Sequence, residues 1–192
     1  MSVNYGRFSG NPKTEWLTNP GSADREMKLL EDFWYIDPDG KKWAAPKGSV
    51  IDGASIPRPL WSTVGSPFTD DYRNASIVHD VACQKIDKFA PGADEKRKEA
   101  DRMFFYACLA GGCSQKQAEI LYIGVRIGIW AFRAGNWIPS NWKDLLFRFS
   151  TKRSPEENAL LKKFRDLVSK ESKKAGKWSF DDLQFMVDRS LE

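Results

Sequence analysis

An α+β fold, mainly helical, is what this sequence predicts, and three observations carry the prediction. Short extended runs separated by turn signals fill Tyr5 to about Ala54. A helical spacing of apolar residues takes over from Trp61 to Arg133. Beyond Ser150 the chain becomes highly charged but keeps two helix-length stretches.

In the first region the turn signals are Asn11-Pro12, Asn19-Pro20-Gly21 and Asp37-Pro38-Asp39-Gly40. Met27 to Ile36 and Lys41 to Ala45 read as strands, joined as a small N-terminal β-hairpin across Asp37 to Gly40. Helices are expected from about Asp71 to Ile86 and from about Asp94 to Ala110. A third begins at Ser114, where Ser114 and Gln117 form a capping-box pattern and Ala118, Leu121, Tyr122, Val125, Gly128, Ile129 and Phe132 share one face. Pro155 to Lys170 and Phe180 to Leu191 are the last two. The expected plan is a main domain over 1–150 (β region 1–56, helical core 57–135, aromatic segment 136–150) and a charged helical C-terminal extension over 151–192.

Composition bounds the function. With 41% hydrophobic residues among 192, the chain can bury one proper core. A net charge of +4 permits an anionic surface as partner without demanding one, and no nucleic acid is expected. Cys83, Cys108 and Cys113 are odd in number and lack framework spacing, which suits synthesis in a reducing cytoplasm. Met1 to Gly21 is polar, so no signal peptide is read there. The most apolar stretch, Ile120 to Phe132, is broken by Arg126 and is far shorter than the roughly 20 residues that span a bilayer.

His79 is the single histidine of the chain, which excludes sites built on several imidazoles, such as His-rich zinc centres and H-E-x-x-H proteases. What remains is one imidazole acting as base among carboxylates. Ala75, Ser76, Ala82 and Cys83 lie one turn from His79 and are small, so another helix can approach closely. On the next helix Asp101 shares its stripe with Phe104, Phe105 and Cys108, an apolar setting in which aspartate needs a partner. A loop containing Pro91-Gly92 implies antiparallel packing, which lets Asp101 face His79, fix its tautomer and leave the other nitrogen as general base. Pairing of Asp101 with Arg97 is the alternative. Upstream, Asp52-Gly53 ends an extended segment before Pro57. It offers a carboxylate and bare backbone to a hard cation, or is simply a tight turn.

Asp52-Gly53-Ala54-Ser55-Ile56-Pro57-Arg58, followed by Trp61, His79-Asp80, Cys83 and Ala100-Asp101, resembles the phage and prophage domain-of-unknown-function family 1353 over roughly Tyr5 to Arg133. The active-site pattern, over about 80 residues, is also similar to phospholipase A2 of the bacterial and viral-capsid type. That resemblance implies a phospholipase A2-like core of antiparallel helices, with His79 activating water, Asp101 orienting it, and calcium held by Asp80, Asp52 and the Gly53 backbone. Trp61, Tyr106 and Tyr122 are the expected substrate-binding residues. The sequence departs from the family in placing Cys83 where a tyrosine usually braces the orienting carboxylate, in lacking a glycine-rich calcium loop, and in lacking disulfides between the catalytic helices; Tyr106 or Tyr122 is the candidate replacement for the brace.

Trp130, Phe132, Trp137, Ile138, Trp142, Phe147 and Phe149 alternate with Arg133, Lys143 and Arg148, either as an interfacial belt or as core. The tail carries Lys162, Lys163, Arg165, Lys170, Lys173, Lys174 and Lys177, a basic run suited to anionic lipid, a partner arm or plain solvation. The expected function is a calcium-dependent lipid ester hydrolase acting at a phospholipid membrane surface, as a phage lysis factor or an interbacterial effector delivered to another cell, with an immunity or phage protein as partner. The alternatives are a non-catalytic phage-derived accessory protein on the same scaffold and a hydrolase of a cell-wall ester or amide.

Overall fold

The computed structural model describes residues 3–17, 26–52, 56, 60, 71–87, 90–133, 155–173 and 179–192. Gly53, Trp61, the Asn19 to Gly21 turn, the side chains of Phe132 and Arg133, the aromatic run from Trp137 to Phe149, and Lys174 and Lys177 lie outside them. The fold is α+β, with five helices and two small antiparallel sheets among the described residues. Two compact units result, residues 1–54 with 66–118 and residues 55–65 with 119–192.

In the first unit the strands are β1 (Arg7–Phe8), β2 (Thr14–Trp16), β3 (Met27–Leu29), β4 (Phe33–Ile36), β5 (Lys42–Ala45) and β6 (Val50–Ile51). One sheet has the order β1-β4-β5 and the other β2-β3-β6, all antiparallel. The hairpin expected across Asp37 to Gly40 joins β4 and β5, with Ile36 opposite Lys42. Asp37 fixes its turn. One carboxylate oxygen accepts the backbone N–H groups of Asp39 and Lys41, and the other accepts the indole N–H of Trp43. The run Met27 to Ile36, read as one strand, is two: the chain breaks at Leu30 to Asp32 and crosses from one sheet to the other. Both pieces alternate in burial, with Met27, Leu29, Phe33 and Tyr35 inside, so apolar alternation alone does not reveal the break. Gly6 closes β1 onto β4. Its φ of 86° and the 2.2 Å that would separate an added Cβ from the Ile36 carbonyl oxygen leave room for glycine only.

Two helices cover these sheets, α1 (Arg73–Gln84) and α2 (Ala93–Ala110). α1 is buried almost all round, because it packs on β4, β5 and β6 as well as on α2. The helices run antiparallel: the Asp71 backbone lies against Gly111 at one end, where a Cβ would come within 2.2 Å of the Asp71 oxygen, and His79 meets Asp101 farther along. Tyr72, Ile77, Val78, Met103, Phe104 and Phe105 fill the core with Leu29, Tyr35 and Ile51. Each such side chain contributes about 1.5–3 kcal/mol on burial.

The second unit contains most of α3 (Gln115–Arg133), whose first residues belong to the first unit, together with α4 (Pro155–Ser172) and α5 (Phe180–Leu191). The division between the compact units falls within α3, after residue 118. Ser114 Oγ accepts the Gln117 N–H at the start of α3. A full capping box, Ser179 with Asp182, starts α5. Leu121, Ile123, Phe164, Leu167, Leu183 and Val187 are buried in this unit, and Arg126 pairs with Asp188 at 2.7 Å.

Candidate functional site

The site is built on the seam between α1 and α2. His79 points from the centre of α1 toward α2, and its Nε2 lies 2.8 Å from Asp101 Oδ1, both side chains being completely buried. With both side chains shut off from bulk solvent, the aspartate dictates the orientation of the ring. Phe104, one turn beyond Asp101, lies against the imidazole with ring centroids 4.8 Å apart. Cys83, one turn beyond His79, places its Sγ 3.5 Å from Nε2 and 3.9 Å from Nδ1. Both neighbours follow from helical spacing of three and four residues.

Asp80 is rotated from His79 around the helix and turns toward the end of β6. Its Oδ2 accepts the backbone N–H of Asp52 at 2.9 Å. The sheet does this positioning, since β6 pairs with β3 and carries buried Ile51 immediately before Asp52. Burial and the neighbouring Asp52 charge push the Asp80 carboxyl up to about 7, opposed by the Asp52 N–H and by His79. Burial also raises Asp52, against hydrogen bonds from Asp80 and the backbone that lower it. Two carboxylates brought together out of water are destabilised as a pair of anions, and either a shared proton or a cation relieves them.

His79 itself is displaced upward. Burial, the largest influence, disfavours the imidazolium, but the Cys83 sulfur and the hydrogen bond and charge of Asp101 prevail and push it up to about 9. The ring therefore holds its proton near neutral pH and becomes a base as that proton leaves.

The structure thus brings His79, Asp101, Asp80 and Asp52 into one connected group, and adds Cys83 and Phe104. Tyr106 sits elsewhere on α2, beside Arg102, whose guanidinium carbon is 5.1 Å from the ring centroid and which pairs with Asp39. Tyr122 belongs to the second unit, where it is fully buried and meets Phe180 edge to face at 5.2 Å. Gly53 and Trp61 are outside the described residues.

The oxygen donors of Asp80 and Asp52 suit calcium, a hard cation that takes carboxylate and carbonyl oxygens. Two carboxylates do not make a complete set of six to eight ligands. Among the described residues no group of three or more His, Cys, Asp or Glu side chains is arranged to hold a metal ion, so the remaining ligands would have to be backbone carbonyls or water.

An α+β domain with a buried His–Asp pair between two helices is the class this geometry defines. The chain belongs to the family described as a protein of unknown function (DUF1353), whose model matches residues 27–125. That span holds all four connected site residues and leaves α4 and α5 outside. The chain is similar to the uncharacterized protein y4jT of Sinorhizobium fredii (strain NBRC 101917 / NGR234), 34% identical over 123 residues that make up 63% of this chain and 33% of the relative. It is also similar to the uncharacterized protein y4iH of the same strain, 36% identical over 106 residues, 55% of this chain and 41% of the relative. The matches therefore span well under half the length of either relative. No solved structure matches the chain significantly.

Proposed function

We propose that His79 and Asp101 form the acid–base centre of an ester hydrolase and that the Asp52 and Asp80 carboxylates bind calcium beside it, in the manner of phospholipase A2. The observation that carries this reading is the 2.8 Å bond from His79 Nε2 to Asp101 in a fully buried setting, one residue from a carboxylate pair. With Nε2 engaged by Asp101, Nδ1 is the nitrogen that accepts a proton from the attacking nucleophile, in the simplest case water. The imidazolium then returns the proton to the leaving oxygen. Such help is worth roughly 100- to 10,000-fold in rate. Calcium, when bound by Asp80 and Asp52, would supply positive charge to the oxyanion that develops on the ester.

A phospholipid surface is the substrate we assign first. α4 and the residue after it leave Lys162, Arg165, Lys170 and Lys173 exposed around a single exposed Asp166, a net cationic face that favours anionic headgroups. Among the described residues no helix is long and apolar enough to cross a membrane, so contact with lipid would be peripheral. Fatty-acid release from mixed phosphatidylcholine and phosphatidylglycerol vesicles, with and without calcium, tests the reading; no release by the folded protein at any calcium concentration would refute it.

One observation favours a second reading. His79 has no exposed surface at all, which is what a purely structural pair between two helices requires. On that reading the chain is a non-catalytic accessory protein, and substitution of the dyad changes stability with no activity to lose.

A further inference from the structure

The turn from α2 into α3 brings two thiols together. α2 ends in a Schellman motif: the Cys113 N–H donates to the Cys108 carbonyl at 3.0 Å and the Gly112 N–H to the Leu109 carbonyl at 3.2 Å, with Gly112 at a φ of 110°. This pairing folds the chain back over the last helical turn, so the side chains of Cys108 and Cys113 meet and their thiols hydrogen-bond. The backbone bond keeps the two α-carbons within about 7 Å of each other, a span that a disulfide bridges. No disulfide joins them in this structure. The two thiols differ in access. Cys108 is completely buried, whereas Cys113 is 6% exposed and stands between the exposed Gly112 and Ser114. Burial and the hydrogen bond with Cys113 hold the Cys108 thiol well above its ordinary value, which leaves Cys113 as the sulfur that reacts first. Beside them, Gly111 lies so close to the Asp71 backbone, just before α1, that an added Cβ would come within 2.2 Å of the Asp71 oxygen. The same turn therefore anchors one end of the seam along which His79 meets Asp101.

We infer that Cys108 and Cys113 are a redox modification site, which a peroxide closes to an intramolecular disulfide across the turn between α2 and α3. The Cys113 thiol loses its proton and its sulfur bonds to one peroxide oxygen. The O–O bond breaks, and the departing hydroxide takes up that proton as water, which leaves a sulfenic acid on Cys113. The Cys108 thiol then loses its proton as its sulfur bonds to Cys113 Sγ, and the hydroxide expelled from Cys113 takes that proton as a second water. Two thiols and one hydrogen peroxide become one disulfide and two waters, with the sulfurs oxidised and the peroxide oxygens reduced. A peroxide is small enough to reach a sulfur that is only 6% exposed. In a reducing compartment the thiols persist, and in an oxidising one the bond closes. Once closed, it ties the last turn of α2 to the residue that leads into α3 and holds Gly111 against Asp71. The modification is independent of the hydrolase reading above.

Hydrogen peroxide is the probe, added to the reduced full chain and followed by denaturation, alkylation with iodoacetamide and tryptic mapping. Cleavage after Arg102 and Lys116 leaves both thiols in the peptide Met103 to Lys116, and cleavage after Arg73 and Lys85 leaves Cys83 in the peptide Asn74 to Lys85. The expected result is a Met103 to Lys116 peptide in which the two cysteines have lost two hydrogens and take no alkyl group, restored by dithiothreitol. The oxidised protein should melt roughly 4–9 °C above the reduced one, as closure of so short a loop implies. In Cys108→Ser, Cys113 is expected to stop at the sulfenic acid and be trapped by dimedone. Full alkylation of Cys108 and Cys113 in the peroxide-treated wild type overturns the inference. A crosslink from Cys83 to either of them also overturns it, as does oxidation of Cys113 beyond the sulfenic acid with no crosslink. A Cys108–Cys113 bond that lowers the Tm overturns it too, because the bond then forms at the expense of the turn. The crosslink is read on the wild type, so a Cys108→Ser variant that fails to fold does not prevent a decision.

Discussion

Among the described residues, each compact unit holds a helix-to-helix charge pair, His79 with Asp101 at 2.8 Å in the first and Arg126 with Asp188 at 2.7 Å in the second, and the two pairs differ in burial and in chemistry. The arginine is always charged, and its pair keeps some contact with solvent, the side chains being 10% and 20% exposed. The imidazole is dry, can hold or release its proton, and stands beside Asp80, Asp52 and Cys83. A pair of fixed charge at a partly wet seam suits the registration of helices. A dry pair whose proton can move, beside two carboxyls whose proton affinities are raised, suits chemistry, since such clusters are costly to a fold that gains only stability from them.

The largest expected difference is in stability. Asp101→Ala removes one partner of a fully buried pair and should cost roughly 3–5 kcal/mol in urea unfolding of the first unit. A cost near zero would mean that the seam is open to water and the comparison misplaced.

Next comes the dependence on pH and calcium. The Asp80 carboxyl, pushed up to about 7 from an ordinary 3.8, stabilises the fold in its protonated form. That contribution is complete below the ordinary carboxylate range and is lost as pH rises through about 7. Asp80→Asn, a fixed mimic of the protonated group, should match the wild type near pH 4 and exceed it in Tm near pH 9 when calcium is absent. Adding calcium near pH 8 should raise the Tm of the wild type and leave Asp80→Asn unmoved. Equal calcium shifts in the two proteins would remove the carboxylate pair from the site. His79 works in the same direction: its stabilising proton, fully present below about 6.5, is lost as pH rises through about 9, and hydrolysis should increase over that interval as the base is freed.

The smallest effect belongs to the second unit. Asp188→Asn weakens a partly solvated pair and should cost about 1 kcal/mol or less, with no change in any activity of the first unit. A loss comparable to that of Asp101→Ala would show the two pairs to be equivalent after all.

The dyad is legible in the sequence because its causes are local. Helical spacing puts small residues around His79, an aspartate stands on an apolar stripe of the following helix, and a short loop forces the two helices antiparallel. The Asp37 turn is legible for the same reason. Cys83 and Phe104 are within reach of the same argument, lying four residues from His79 and three from Asp101, yet a thiol and a phenyl ring read as core until the imidazole beside them is placed. The contact of Asp52 with Asp80 depends on β6 pairing with β3, a long-range register that a two-residue strand does not announce. The crossing of the chain between sheets at Leu30 to Asp32 is hidden because both flanking strands alternate in the same way.

Fatty-acid release from mixed phospholipid vesicles by wild type and His79→Gln, with folding followed on the same preparations, tests the central claim most directly. Calcium-dependent release by the wild type is expected, with a loss of roughly 100-fold or more in a His79→Gln protein that still folds. A folded wild type that releases no fatty acid, or a His79→Gln protein that releases it at the wild-type rate, would contradict it.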